Sequence, residues 1–187
     1  QGADQVRGIL YQPFQQAVRI YHSKLFKTEL FWVTESEPLS AANSMSVQAH
    51  IGTQRQTLFF TLPENVNSLK ILRFDPGEQP GFIHLHQLTL RQCTDKVEKG
   101  QILWQAVGSS AIAARTILEN IHYCPSALGD VFLSLADDPQ IIIELPESVT
   151  EQSGAGRLLF EAVIDWPQSA DYLAVLDEMR TQRRLLS

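Results

Sequence analysis

Residues 56–90 read QTLFFTLPENVNSLKILRFDPGEQPGFIHLHQLTL. Three runs rich in apolar, aromatic and β-branched residues stand at 56–62, 69–74 and 82–90. Pro63 and the polar stretch from Glu64 to Ser68 separate the first two, and Pro76-Gly77 with Pro80-Gly81 separate the last two. Proline fixes φ and offers no ladder N–H, while glycine accepts the turn conformations that other residues resist, so the stretch reads as strand, turn, strand, turn, strand. Within the third run the two-residue alternation slips: Ile83 and Leu85 lie on one parity, Leu88 and Leu90 on the other. A strand that buries one face absorbs such a slip through a bulge or by passing from one sheet to another.

The same pattern extends in both directions and predicts an all-β chain, with strands near 16–24, 28–34, 45–52, 56–62, 69–74, 81–91, 101–107, 115–122, 130–136, 140–145 and 156–164. One helix is expected, at the C-terminal end, where Ser169 can cap a segment with Tyr172, Leu173, Leu176 and Met179 at three- and four-residue spacing. The organisation follows: an N-terminal extension over 1–14, a single β-domain over 15–166 and a connector helix over 167–187. The connector and the N-terminal Gln1 point to a piece of a longer polypeptide. The arginines at 180, 183 and 184 read as the solvated face of that helix.

The 187 residues carry 21 acidic and 15 basic side chains, a net charge of −6, which repels a phosphate backbone and argues against nucleic acid. With 44% hydrophobic residues the chain can build a core without disulfides or metal. Cys93 and Cys124 match neither a CxxC pair nor a metal-ligand spacing; they suit a reducing compartment, or one disulfide if their strands adjoin. No run is long and apolar enough to span a bilayer and no signal-peptide pattern is present, so the expected location is cytoplasmic, at the inner face of the membrane through the full-length protein.

Signs of catalysis are sparse. His84-Leu85-His86 would place two imidazoles on one face of a strand, as a cupin-like metal site does, but the residues that follow, Gln87 to Arg91, lack the carboxylate of that pattern. His50 and His122 are the distant histidines that folding would have to recruit. No Gly-x-Ser-x-Gly elbow occurs, and Gly108-Ser109-Ser110 and Gly154-Ala155-Gly156 have the spacing of turns, not of phosphate loops. Asp137-Asp138 before Pro139 reads as a chain reversal, since adjacent carboxylates on an extended chain diverge and do not form a glycosidase pair. The reading therefore assigns no catalytic residue, no metal and no cofactor.

The segment from Leu72 to Leu90, with its Arg73-Phe74-Asp75-Pro76 turn, the Pro80-Gly81 a few residues on and the strand ending Leu88-Thr89-Leu90, resembles the β-sandwich domains attached to bacterial glycosyltransferases and methyltransferases of lipopolysaccharide and O-antigen synthesis. Leu30-Phe31-Trp32 with Thr34-Glu35, the 56–63 segment, Asp137-Asp138-Pro139-Gln140 and Leu145-Pro146 agree in order, over roughly residues 17–92 and 128–165. The resemblance implies a jelly-roll-like antiparallel β-sandwich, similar to carbohydrate-binding modules, beside a separate catalytic domain in the same chain. It carries over no ligand residues.

Sugar rings present apolar C–H faces ringed by hydroxyls, so a carbohydrate site calls for a flat aromatic with carboxylate or amide partners. On that chemistry Trp32 and Trp104 are expected as stacking surfaces, with Glu35 and Gln105 as hydroxyl partners. Phe31 and Trp32 must face opposite ways on a strand, one toward the core. Arg73, Asp75 and Asp138 are expected to form an Arg–carboxylate pin between two loops. The leading function is thus a non-catalytic carbohydrate-binding or acceptor-positioning module. A domain-docking scaffold and a cupin-like metal enzyme are the alternatives.

Overall fold

The computed structural model describes residues 25–52, 55–93, 100–125, 130–134, 136–153 and 156–166. Its strands are β1 (Leu25–Thr34), β2 (Ser44–His50), β3 (Gln56–Thr61), β4 (Leu69–Asp75), β5 (Gly81–Cys93), β6 (Gln101–Val107), β7 (Ile117–Glu119), β8 (Ile121–Cys124), β9 (Val131–Ser134), β10 (Gln140–Glu144) and β11 (Arg157–Asp165). Two antiparallel sheets result. Sheet 1 runs β2-β1-β4-β10-β7; sheet 2 runs β3-β11-β5-β9-β8, with β6 also paired to β5. The protein is an all-β sandwich, and the chain passes repeatedly from one sheet to the other.

Alternation fixes the faces. In β1 the side chains of Phe26, Thr28, Leu30, Trp32 and Thr34 are buried while Lys27, Glu29, Phe31 and Val33 point outward. In β11 Leu158, Phe160, Ala162 and Ile164 are buried between the sheets. Phe60 and Phe160 from sheet 2 meet Phe74 from sheet 1, with ring centroids 5.7–6.1 Å apart. Trp166, past the end of β11, is fully buried and stacks on Phe26 at 5.4 Å.

The slip in β5 is a bulge, and the strand changes neighbours as well. Opposite β11, Gln87 pairs with Val163 but Leu85 with Ile164, so His86 is the extra residue. Both Leu85 and Leu88 remain fully buried on either side of it. On the other edge β5 pairs with β9 over Gly81–Ile83 and with β6 from Gln87 onward. In the gap between them Gly108 N donates to His86 O at 2.8 Å and Ser109 Oγ to Leu85 O at 2.8 Å. Backbone groups that neither neighbouring strand reaches are thereby paired.

Two helices within the sandwich depart from the sequence reading: α1 (Ser109–Arg115) and α2 (Glu147–Gln152). Each is two turns or less, too short for a 3.6-residue period to stand out. α1 buries Ile112. The expected strand at 115–122 is in fact the end of α1 followed by β7 and β8, which are divided at Asn120, where φ is +57°. The region of α2 satisfies the buried start of β4: Leu69 N donates to Ser153 Oγ at 3.0 Å, and Thr150 Oγ1 donates to Leu69 O at 2.9 Å. The expected strand at 16–24, the extension at 1–14 and the helix at 167–187 lie outside the described residues. Among those described, no helix is long and apolar enough to cross a membrane.

Candidate functional sites on the two sheets

The four residues expected to hold sugar do not come together. Trp32 is 4% exposed in sheet 1 and Trp104 is 5% exposed in sheet 2, where the Arg115 guanidinium lies 5.1 Å from the ring centre. Neither ring offers a face to solvent, so the stacking role is corrected to a core role. An indole gains more by burial than by waiting exposed for a ligand. Glu35 is an exposed end of sheet 1, 3.1 Å from Lys70. Gln105 stands on the outer face of sheet 2 and donates to Thr89 Oγ1 at 3.2 Å.

What sheet 1 does assemble is the pin. Arg73 donates through Nε to Asp75 Oδ1 at 2.8 Å, through Nη2 to Asp75 Oδ2 at 2.7 Å, and through Nη2 to Asp138 Oδ1 at 2.8 Å. The other oxygen of Asp138 accepts from Gln140 Nε2 at 2.6 Å. β4 and β10 are neighbours, with Arg73 opposite Ile142, which is why Asp138, 65 residues from Arg73 in sequence, shares its guanidinium with Asp75. The same guanidinium sits 4.8 Å from the Phe31 ring centre. Burial pushes the Asp75 carboxyl above its ordinary pKa, against the lowering effect of Arg73, whose own pKa the Asp75 hydrogen bonds raise. Desolvation here outweighs the ion pair.

Beside the pin opens a cleft of about 210 Å³ lined by Lys27, Glu29, Asp75, Gly77, Glu78, Asp137 and Asp138. Lys27 donates to Glu29 Oε2 at 2.9 Å, and that carboxylate holds the ammonium above its usual pKa. Gly77 makes room for the core: a Cβ there would stand 2.7 Å from the Phe26 ring.

Sheet 2 carries a second cluster, on its outer face. His84 and His86 project beside each other from β5, with ring centres 5.9 Å apart, and β11 places Asp165 directly across from His84. Asp165 Oδ2 lies 2.6 Å from His86 Nε2, and Oδ1 lies 3.2 Å from His84 Nδ1. The two histidines are about a quarter exposed and the Asp165 side chain 7%. Oδ1 is buried and receives no hydrogen bond among the described residues. His50 is an exposed end of β2 and His122 is exposed on β8; neither joins this group.

The carboxylate that the His-x-His pattern lacked in its own strand thus comes from the neighbouring one. The sequence signal was an acidic residue closing an apolar strand, on the same outward parity as Glu161 and Val163. Its value depends on β11 lying beside β5, a pairing hidden by a sequence separation of 79 between His86 and Asp165. Cys93 and Cys124 are both free thiols, half-buried. Comparison with protein families, with curated proteins and with solved structures finds no match to this chain.

Proposed function

We propose that this sandwich is a non-catalytic carbohydrate-recognition module that positions a polysaccharide or glycan acceptor for a catalytic domain elsewhere in a larger bacterial transferase, working in the cytoplasm at the inner face of the membrane. The resemblance of the segment from Leu72 to Leu90 to glycosyltransferase-associated sandwiches motivates the reading. The observation that supports it best is the cleft of sheet 1, where an ammonium and four carboxylates besides Asp75 line a space open to solvent. Carboxylates accept from sugar hydroxyls and Lys27 donates to them, the complement a polyhydroxylated ligand requires. At about 210 Å³ the cleft is smaller than the ~300–1,000 Å³ of pockets that enclose a small molecule. That size suits one end of an extended chain. Weak binding suffices, because tethering to the enzyme converts the second encounter into an intramolecular one.

A docking scaffold is the competing reading. The exposed apolar residues of sheet 2, Phe59, Ile102 and Val107, stand on β3 and β6, with the Arg91–Glu161 ion pair on the strands between. Scattered apolar side chains of this kind are ordinary surface. NMR titration of the protein with oligosaccharides of bacterial surface polysaccharides tests the choice. Shifts confined to Lys27, Glu29, Gly77, Glu78, Asp137 and their neighbours are expected. Silence across a broad glycan panel rejects recognition and leaves docking.

A further inference from the structure

We infer that His84, His86 and Asp165 form a binding site for a divalent transition-metal ion of the zinc class, on the opposite sheet from the cleft and independent of glycan binding. The donors are two imidazole nitrogens and one carboxylate, and their ligand atoms all lie within 4.8 Å of one another. Zinc sits ~2.0–2.2 Å from such nitrogens and oxygens, which places ligand atoms roughly 3–3.5 Å apart around it. Rotation of the two imidazoles, each about a quarter exposed, covers the difference. Imidazole donors favour zinc and its neighbours over calcium or magnesium, which take oxygen shells. Three protein ligands on one side leave the remaining positions open to water or to an oxygen ligand.

The backbone explains why the set converges. His84 and His86 are two apart on one strand and so share a face, and the register of β11 sets Asp165 opposite His84. The bulge at His86 turns its ring onto the carboxylate at 2.6 Å.

A bland alternative is a hydrogen-bonded His–Asp–His group holding a proton in place of a cation. Asp165 weighs against it. The residue is 5% exposed, and its ion pairs among the described residues are with these two imidazoles alone. A proton on His86 satisfies Oδ2, but buried Oδ1 has only His84 Nδ1 at 3.2 Å beside it, and that approach does not make a hydrogen bond. A buried carboxylate left in that state is costly, and a dication bound by the same three groups neutralises it.

The test is calorimetric titration of the chelator-treated 187-residue chain with Zn²⁺, repeated with Co²⁺ to read its visible absorption. One ion per chain is expected, with a cobalt spectrum of a low-coordinate nitrogen–oxygen site. His84→Asn and His86→Asn should each weaken binding at least ~10-fold, a ligand being worth no less than the outer-shell groups that support it. Both positions are partly exposed, so their amide spectra should otherwise stay native. No stoichiometric uptake of either ion overturns the proposal. So does uptake undiminished in the double variant, which would mark adventitious binding at His50 or His122. Should Asp165→Asn fail to fold, the two imidazole variants still decide.

Discussion

Arg73 ties its neighbouring turn to Asp138, 65 residues away in sequence. The Arg-x-Asp-Pro and Asp-Asp-Pro motifs are what a tight turn selects, yet the structure also uses their carboxylates to satisfy one guanidinium bidentately. Replacing Arg73 by Met keeps an unbranched apolar stem but removes the guanidinium from Phe31 and leaves Asp75 buried without its partner. A loss of about 3 kcal/mol is expected at neutral pH, near the lower end for orphaning a buried charge. The pH dependence has a definite sign. Asp75 has a native pKa raised above its unfolded one by burial, so its contribution is fully present below the unfolded pKa and is lost as pH rises through the native value. Without Arg73 that native pKa climbs further, so the destabilisation by Arg73→Met should shrink as the pH is lowered into the carboxylate range. Urea unfolding of both proteins across that range checks it, and a pH-independent difference contradicts it. Trp32 and Trp104 mark the other limit of single-residue reading. Their chemistry suited a sugar platform, and only burial assigns them to the core.

At the scale of the element, β5 carries the most information. It reaches β11 on one edge and both β9 and β6 on the other, and its bulge falls where the second edge passes between partners. The apolar parity break in the sequence was the trace of that bulge. Its position predicts an asymmetry between two single deletions. Removing Gln87 brings Ile83, Leu85, Leu88 and Leu90 onto one parity, so the strand can run straight with its core face intact. Removing Thr89 instead turns Leu90 outward, at ~1.5–3 kcal/mol for the lost burial, and misaligns everything beyond it. The Gln87 deletion should remain folded with a modest fall in urea midpoint, and the Thr89 deletion should lose its cooperative transition. Equal damage from both would mean that the bulge is not where the register resets. α1 and α2 escaped the sequence reading for the complementary reason. Seven and six residues are too few for a helical period, and their ends are stabilised by contacts with β5 and β4.

The whole molecule is held by what passes between the sheets. Phe60, Phe74 and Phe160 are fully buried and join sheet 1 to sheet 2. Phe160→Ala should cost ~3–5 kcal/mol and lower stability in a single transition, without separating one sheet from the other. Two transitions would show the sheets to be independent units. Local sequence is enough to show that the chain is all-β, where most strands run, that β5 is interrupted near His86, and that Arg73 and Asp75 share a face. Each of these is encoded locally, by period-two burial, turn chemistry or neighbouring charge. It takes the packed fold to show that Asp165 faces His84 and His86, that Trp32 and Trp104 are buried, and that Lys27 and Glu29 share a cleft with Asp137. Strand order governs all three, and it is set by the packing of the whole core, not by any one segment.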